Sequence, residues 1–227
     1  MKARWVGAAL VAILGVWAGT RFYASHDAPR DSGGLRVPAG EASAPNPSDL
    51  AQNSDTLPAP QIPDRLPEFS LGDRTGKATS IRSFSGKSLI INFWATWCAP
   101  CRSEIPLLKT LNTEWGGRAI SVVGIAVDRR DKVLEFADRF KIAYPLLIGE
   151  QDALDAAAKL GVESPAFPFT VFTDRRGEVV ALFVGELHRP QADLIMSAVQ
   201  NLDSGALQLT QARRQIAEQL DALASKT

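Results

Sequence analysis

The sequence predicts an α/β domain: a largely parallel sheet flanked by helices and ending in an antiparallel hairpin. Three observations predict it. Residues 88–95 (SLIINFWA) and 119–127 (AISVVGIAV) are short, almost wholly apolar runs, which suits strands covered on both faces. Segments of helical period follow them, and strand–helix–strand alternation reads as βαβ units. Residues 168–173 and 179–184 flank the turn TDRRGE, which reads as the closing hairpin.

In chain order, residues 5–20 (WVGAALVAILGVWAGT) carry no charge, with Lys2 and Arg4 before them and Arg21 after. At roughly 1.5 Å per residue this stretch spans about 24 Å as a helix, slightly less than a hydrocarbon core of about 30 Å. Arg21 can snorkel, and Trp5, Trp17 and Tyr23 fit an aromatic belt at the two interfaces. Residues 1–24 are therefore expected to anchor the chain in a membrane, with the basic start in the cytoplasm and the remainder outside. The alternative is a cleaved signal peptide, which needs small residues at −3 and −1, a pattern that Ala18 and Thr20 meet only in part. Either way the body of the protein is expected to be exported. Residues 25–67 hold eight of the 14 prolines and only scattered large apolar residues. Such a segment cannot bury enough surface to fold, and it reads as a disordered tether with a reach of roughly 35 Å.

Residues 68–202 form the expected domain. After the strand at 88–95, a helix runs from the WCAPC segment to about Trp115, with Pro106 expected to kink it. Beyond the strand at 119–127, residues 131–140 place Val133, Phe136, Ala137 and Phe140 on one helical face. A short strand at 145–148 precedes an Ala-rich helix at 152–160 that Gly161 ends. The hairpin follows, and a helix at 190–202 completes the domain. Residues 203–227 form a tail in which Ala212, Ile216, Leu220 and Leu223 recur at helical spacing. It reads as a helix packed on the domain, a frayed end, or a partner-binding helix.

Composition narrows the function. With 25 basic and 25 acidic residues the chain has no basic footprint for nucleic acid. It has two cysteines, too few for a disulfide scaffold, and both fall in Trp97-Cys98-Ala99-Pro100-Cys101. A C-x-x-C directly after a buried strand puts Cys98 at a helix N-terminus, where unpaired N–H groups and the macrodipole stabilise a thiolate. Cys98 is then the nucleophile toward a partner disulfide, and Cys101, one turn in, resolves the mixed disulfide. Pro100 suits the first turn, where its missing N–H costs little. A zinc site would need further ligands, and only His26 in the tether and an isolated His188 remain. A c-type haem site needs His after the second Cys, where this chain has Arg102. A structural disulfide over so short a loop would constrain little chain. No metal and no cofactor is expected.

The segment FWATWCAPCRSEIP at 93–106 resembles the active-site segment of thioredoxin-like proteins, most closely the membrane-anchored thiol–disulfide oxidoreductases of the TlpA/ResA group. The resemblance covers roughly residues 67–202. It implies a thioredoxin-like fold, a central mixed sheet flanked by helices, with residues 130–161 as the group's helix–strand–helix insertion. It also implies that Pro168 is the cis-proline that faces the dithiol, beside which an incoming peptide can pair in β-fashion. Phe167 then lines the substrate groove with Trp97, Ala99 and Pro100, whereas Phe169 is as readily a core residue. Glu104, three residues after Cys101, resembles the group's proton acceptor, and partial burial would raise its pKa. The competing reading is a solvated charge paired with Arg102 or Lys109. Asn92 departs from plain thioredoxins, which usually carry a buried Asp there; a neutral amide cannot act as base, which shifts proton handling toward Glu104.

The expected reaction is thiol–disulfide exchange on exported proteins in the periplasm, and Ala-Pro between the cysteines resembles the reducing members. The expected partners are disulfide-bearing clients, such as apocytochrome c or copper-site proteins, and a membrane dithiol electron donor. The segment GVESPAFPF lacks the approach to the cis-proline of some cytochrome-maturation members, which weakens the cytochrome reading. Two alternatives differ in class. A thiol peroxidase on the same fold would want Pro-x-x-x-Thr/Ser-x-x-Cys, but residues 91 and 95 are Ile and Ala. A redox-inert chaperone or metal-binding module would use the dithiol only as a ligand.

Overall fold

The structure, a computed structural model, describes residues 62–116 and 120–225. The expectations for residues 1–61, anchor and most of the tether, lie outside the described residues. In chain order the elements are β1 (Ser70–Asp73), β2 (Ala78–Ser80), a 3-10 turn (Ile81–Phe84), β3 (Ser88–Trp94), α1 (Ala99–Trp115), β4 (Ile120–Val127), α2 (Arg130–Phe140), β5 (Leu146–Gly149), α3 (Gln151–Lys159), β6 (Phe169–Thr173), β7 (Val179–Val184), α4 (Arg189–Asp203) and α5 (Leu209–Ala224). The strands form one mixed sheet in the order β2-β1-β5-β4-β3-β6-β7. β3, β4 and β5 run parallel, and β6–β7 and β1–β2 add antiparallel flanks. This is a thioredoxin-like fold, with α2, β5 and α3 forming the helix–strand–helix insertion.

The uniform apolar runs sit where both faces are covered. Every residue of β3 is buried. Ile90 and Trp94 point into a core with α1, α2, α4 and α5, whereas Leu89, Ile91 and Phe93 point into a second core with α3. Gly124 in β4 leaves room on the first face: a Cβ there would lie 3.1 Å from both Trp94 Nε1 and Tyr144 Cε2. Helix α1 runs through Pro106 as one element to Trp115, with the Thr110 hydroxyl donating to Pro106 O at 3.0 Å.

Two segments depart from expectation. The β1–β2 hairpin has no apolar run to announce it; Asp73 organises its turn by accepting from Thr75 N at 2.8 Å and Lys77 N at 3.1 Å. The end of the expected tether belongs to the fold. Arg65 pairs antiparallel with Glu178, Leu66 N donates to Gly177 O at 2.8 Å, and Val179 N donates to Asp64 O at 2.9 Å. Arg213 of α5 ties this arm down, donating to Asp64 Oδ1 at 2.8 Å and to Val179 O at 2.6 Å. Backbone pairing and one guanidinium hold residues that a composition argument reads as unable to fold. Helix α5 itself buries Ala212 and Ile216 in the core shared with α4.

Candidate active site

β3 delivers the chain to the site. After Trp94 it turns through Ala95, whose O accepts from Cys98 N at 3.2 Å. Thr96 holds the turn from the side, its backbone N donating to Asp128 Oδ2 at 3.3 Å just past β4. Cys98 caps α1: its backbone is extended (φ −80°, ψ 112°) and its Sγ accepts from Cys101 N at 3.2 Å. The two sulfurs form a disulfide with Cα atoms 5.3 Å apart. Cys98 retains 5% exposure and Cys101 1%. A sulfur in the cap place meets the unpaired N–H groups of the first turn, which favours its thiolate once the bond opens.

A second loop lies beside the first. The register Phe93↔Phe169 puts Pro168 next to the end of β3, where the chain departs toward Cys98. The Phe167–Pro168 peptide is cis, and Pro168 O accepts from Gly185 N at 2.8 Å. Trp97 is 68% exposed and meets the half-buried Phe167 edge-on, with ring centroids 6.1 Å apart. Ala99 and Pro100 are exposed on the same rim. Phe169 is core: its ring stacks on Phe93 at 4.4 Å.

Glu104 is buried, one helical turn past Cys101 in α1, and pairs with neither Arg102 nor Lys109. Its Oε1 accepts from Asn92 Nδ2 at 2.7 Å and its Oε2 from Leu187 N at 2.8 Å. Burial pushes its pKa from 4.5 up to about 7, helped by the charge of Glu186 and opposed by the two donated hydrogen bonds. Tyr144, also buried, is pushed above the ordinary tyrosine range by burial and then by the Glu104 charge. The arrangement combines an oxidisable sulfur pair at a helix N-terminus, a buried carboxyl that can exchange a proton near neutrality, and an aromatic rim.

Sequence reasoning missed three contributors. Leu187 acts through its backbone N–H, which no side-chain pattern announces. Thr170 stands opposite Asn92 in the β3–β6 register and accepts from its Nδ2 at 3.1 Å, a relation visible only once the strands are paired. Asp128 follows a strand directly, and its contact with Thr96 spans 32 residues.

Residues 61–196 match the Redoxin family. The chain is 32% identical over 133 residues to the thioredoxin-like protein YneN of Bacillus subtilis, covering 57% of this chain and 75% of that one. It is 28% identical over 134 residues to the thiol-disulfide oxidoreductase ResA of Geobacillus kaustophilus, covering 59% and 75%. Among solved structures, a thioredoxin-family thiol:disulfide interchange protein from Chlorobium tepidum superposes with a TM-score of 0.54 at 31% identity, over 61% of this chain and 97% of that one. The chain belongs to the Redoxin family, and within it is a thioredoxin-like thiol–disulfide oxidoreductase of the TlpA/ResA group.

Proposed function

We propose that the chain is a reductase of disulfides in exported proteins, acting outside the cytoplasm from a membrane anchor at residues 1–24. The observation that carries this reading is the Cys98–Cys101 pair at the α1 N-terminus with the buried Glu104 carboxyl one turn below. In the reduced protein the Cys98 thiolate attacks one sulfur of a client disulfide. A Cys98–client bond forms, the client S–S bond breaks, and one client thiolate leaves. Glu104 takes the proton of Cys101, whose thiolate attacks Cys98 Sγ. The 98–101 disulfide closes and the second client thiolate leaves, so the client gains two electrons and the oxidoreductase loses two. A membrane dithiol carrier restores the reduced pair.

Trp97, Ala99, Pro100, Phe167 and Pro168 hold an extended client segment across the dithiol, with the Trp97–Phe167 contact joining the two loops. Apocytochrome c and copper-site proteins are the client classes that this chemistry serves. The test is the reduction potential of the 98–101 couple, measured against glutathione, together with reduction of an oxidised client peptide. A strongly reducing couple that reduces the peptide is expected. A potential near the oxidising extreme of about −120 mV would overturn the reductase reading.

A further inference from the structure

The Glu104 carboxyl is held by donors alone. Asn92 Nδ2 and the Leu187 backbone N–H each point a hydrogen at one of its oxygens. That suits a carboxylate, but among its described hydrogen-bond partners it leaves the O–H of the neutral acid without an acceptor. Asn92 is 0% exposed, its Nδ2 also donates to Thr170 Oγ1, and its Oδ1 is buried with no hydrogen-bond partner. A buried polar atom left unpaired in a native site calls for a reason.

An asparagine amide carries two donors at one end and two acceptor lone pairs at the other. Its terminal torsion is soft, so half a turn exchanges the ends. After that turn Oδ1 accepts from the Glu104 O–H and from the Thr170 hydroxyl. Two hydrogen bonds break and two form. No bond is lost at the Oδ1 end, which has no partner to begin with; the reversed NH2 group takes that place, so the orphaned atom of the amide changes from an acceptor to a donor.

We infer that Asn92 is a positioning residue whose amide reverses as Glu104 gains and loses a proton, so that the buried carboxyl is hydrogen-bonded in both states. The inference rests on Glu104 as the acceptor of the Cys101 proton. The other groups that bear on Glu104 do not replace the amide. Glu186, in the loop before α4, acts through its charge and favours the neutral acid. Tyr144, before β5, feels both Glu104 and Arg74, and its hydroxyl makes no hydrogen bond among the described residues. Cys101, on α1 itself, is the proposed proton source. Aspartate in place of Asn92 would set a second acid against Glu104, and leucine would serve neither state.

The experiment uses the full-length protein with 15N-labelled asparagine and 13C-labelled glutamate, observed by NMR from pH 5 to 9, alongside the pH–rate profile for a peptide disulfide. The Asn92 side-chain NH2 resonances should shift with the same near-neutral midpoint as the Glu104 carboxyl, and Glu104→Gln should abolish the shift. Asn92→Leu removes a donor to the carboxylate and should move the rate midpoint up by about one unit, which lowers the rate at pH 7 about five-fold and spares the high-pH plateau. Asn92 resonances that stay flat while Glu104 titrates, or an unmoved midpoint in Asn92→Leu, would overturn the inference. If the Glu104→Gln protein kept the full wild-type pH–rate profile, the assignment of the base would fall, and this inference with it.

Discussion

Replacing Glu104 with glutamine should remove a pH-dependent destabilisation from the oxidised protein. Burial raises the carboxyl from 4.5 to about 7, a rise of roughly two and a half units, and at about 1.36 kcal/mol per unit this amounts to about 3 kcal/mol. The folded state binds the proton more tightly than the unfolded chain does. Below pH 4.5 the group is protonated in both states and carries no penalty. As pH rises from 4.5 toward 7 the unfolded chain ionises first and wild-type stability falls, and above 7 the full loss is present. Glutamine is neutral throughout. Its oxygen still accepts from one of the two donors, Asn92 or the Leu187 N–H, and its NH2 group meets the other, which adds an offset that does not change with pH. The stability of the variant relative to wild type should therefore rise by about 3 kcal/mol across this window and stay flat on either side. Urea unfolding of both oxidised proteins at closely spaced pH values from about 4 to 8.5 measures it, since every other titrating group is shared. Parallel stability curves over the whole range would refute the reasoning.

Two further outcomes test the packing and the rim. Gly124→Ala should cost about 1–3 kcal/mol by overpacking, because the new Cβ would fall 2.6 Å from Leu146 Cδ2 and 3.1 Å from Trp94 Nε1; an unchanged urea midpoint would mean that the core yields freely there. Trp97→Ala should raise KM for a peptide disulfide several-fold with kcat nearly unchanged, because the indole is 68% exposed beside Phe167 and the proposed reading makes it a client contact. Steady-state kinetics separate the two constants, and an unchanged KM would remove Trp97 from the client surface.

What could be read in advance follows from how far each signal reaches along the chain. Residues 88–94 and 120–127 declare themselves because a strand covered on both faces is apolar at nearly every place, and the two cysteines declare the site because their spacing is local. The cis peptide at Pro168 came from resemblance, since spacing alone cannot tell cis from trans. The β1–β2 hairpin escaped notice because three- and four-residue strands with one buried large side chain, Leu71, carry too little pattern. The arm at 62–66 escaped because backbone pairing with Gly177 and Val179 leaves no mark on composition. The environment of Glu104 was half legible. Its helical spacing from Cys101 is local, whereas Leu187 N–H lies 83 residues away and the Asn92 contact depends on the packing of α1 against β3.

Trapping on Cys98 tests the central claim most directly. In a full-length Cys101→Ser protein the resolving thiol is gone, so a disulfide-bearing exported client should accumulate as a mixed disulfide on Cys98. The adduct should be released by dithiothreitol and be absent from Cys98→Ser. Adducts that form equally well in Cys98→Ser through Cys101, or no adduct in either protein, would contradict the account.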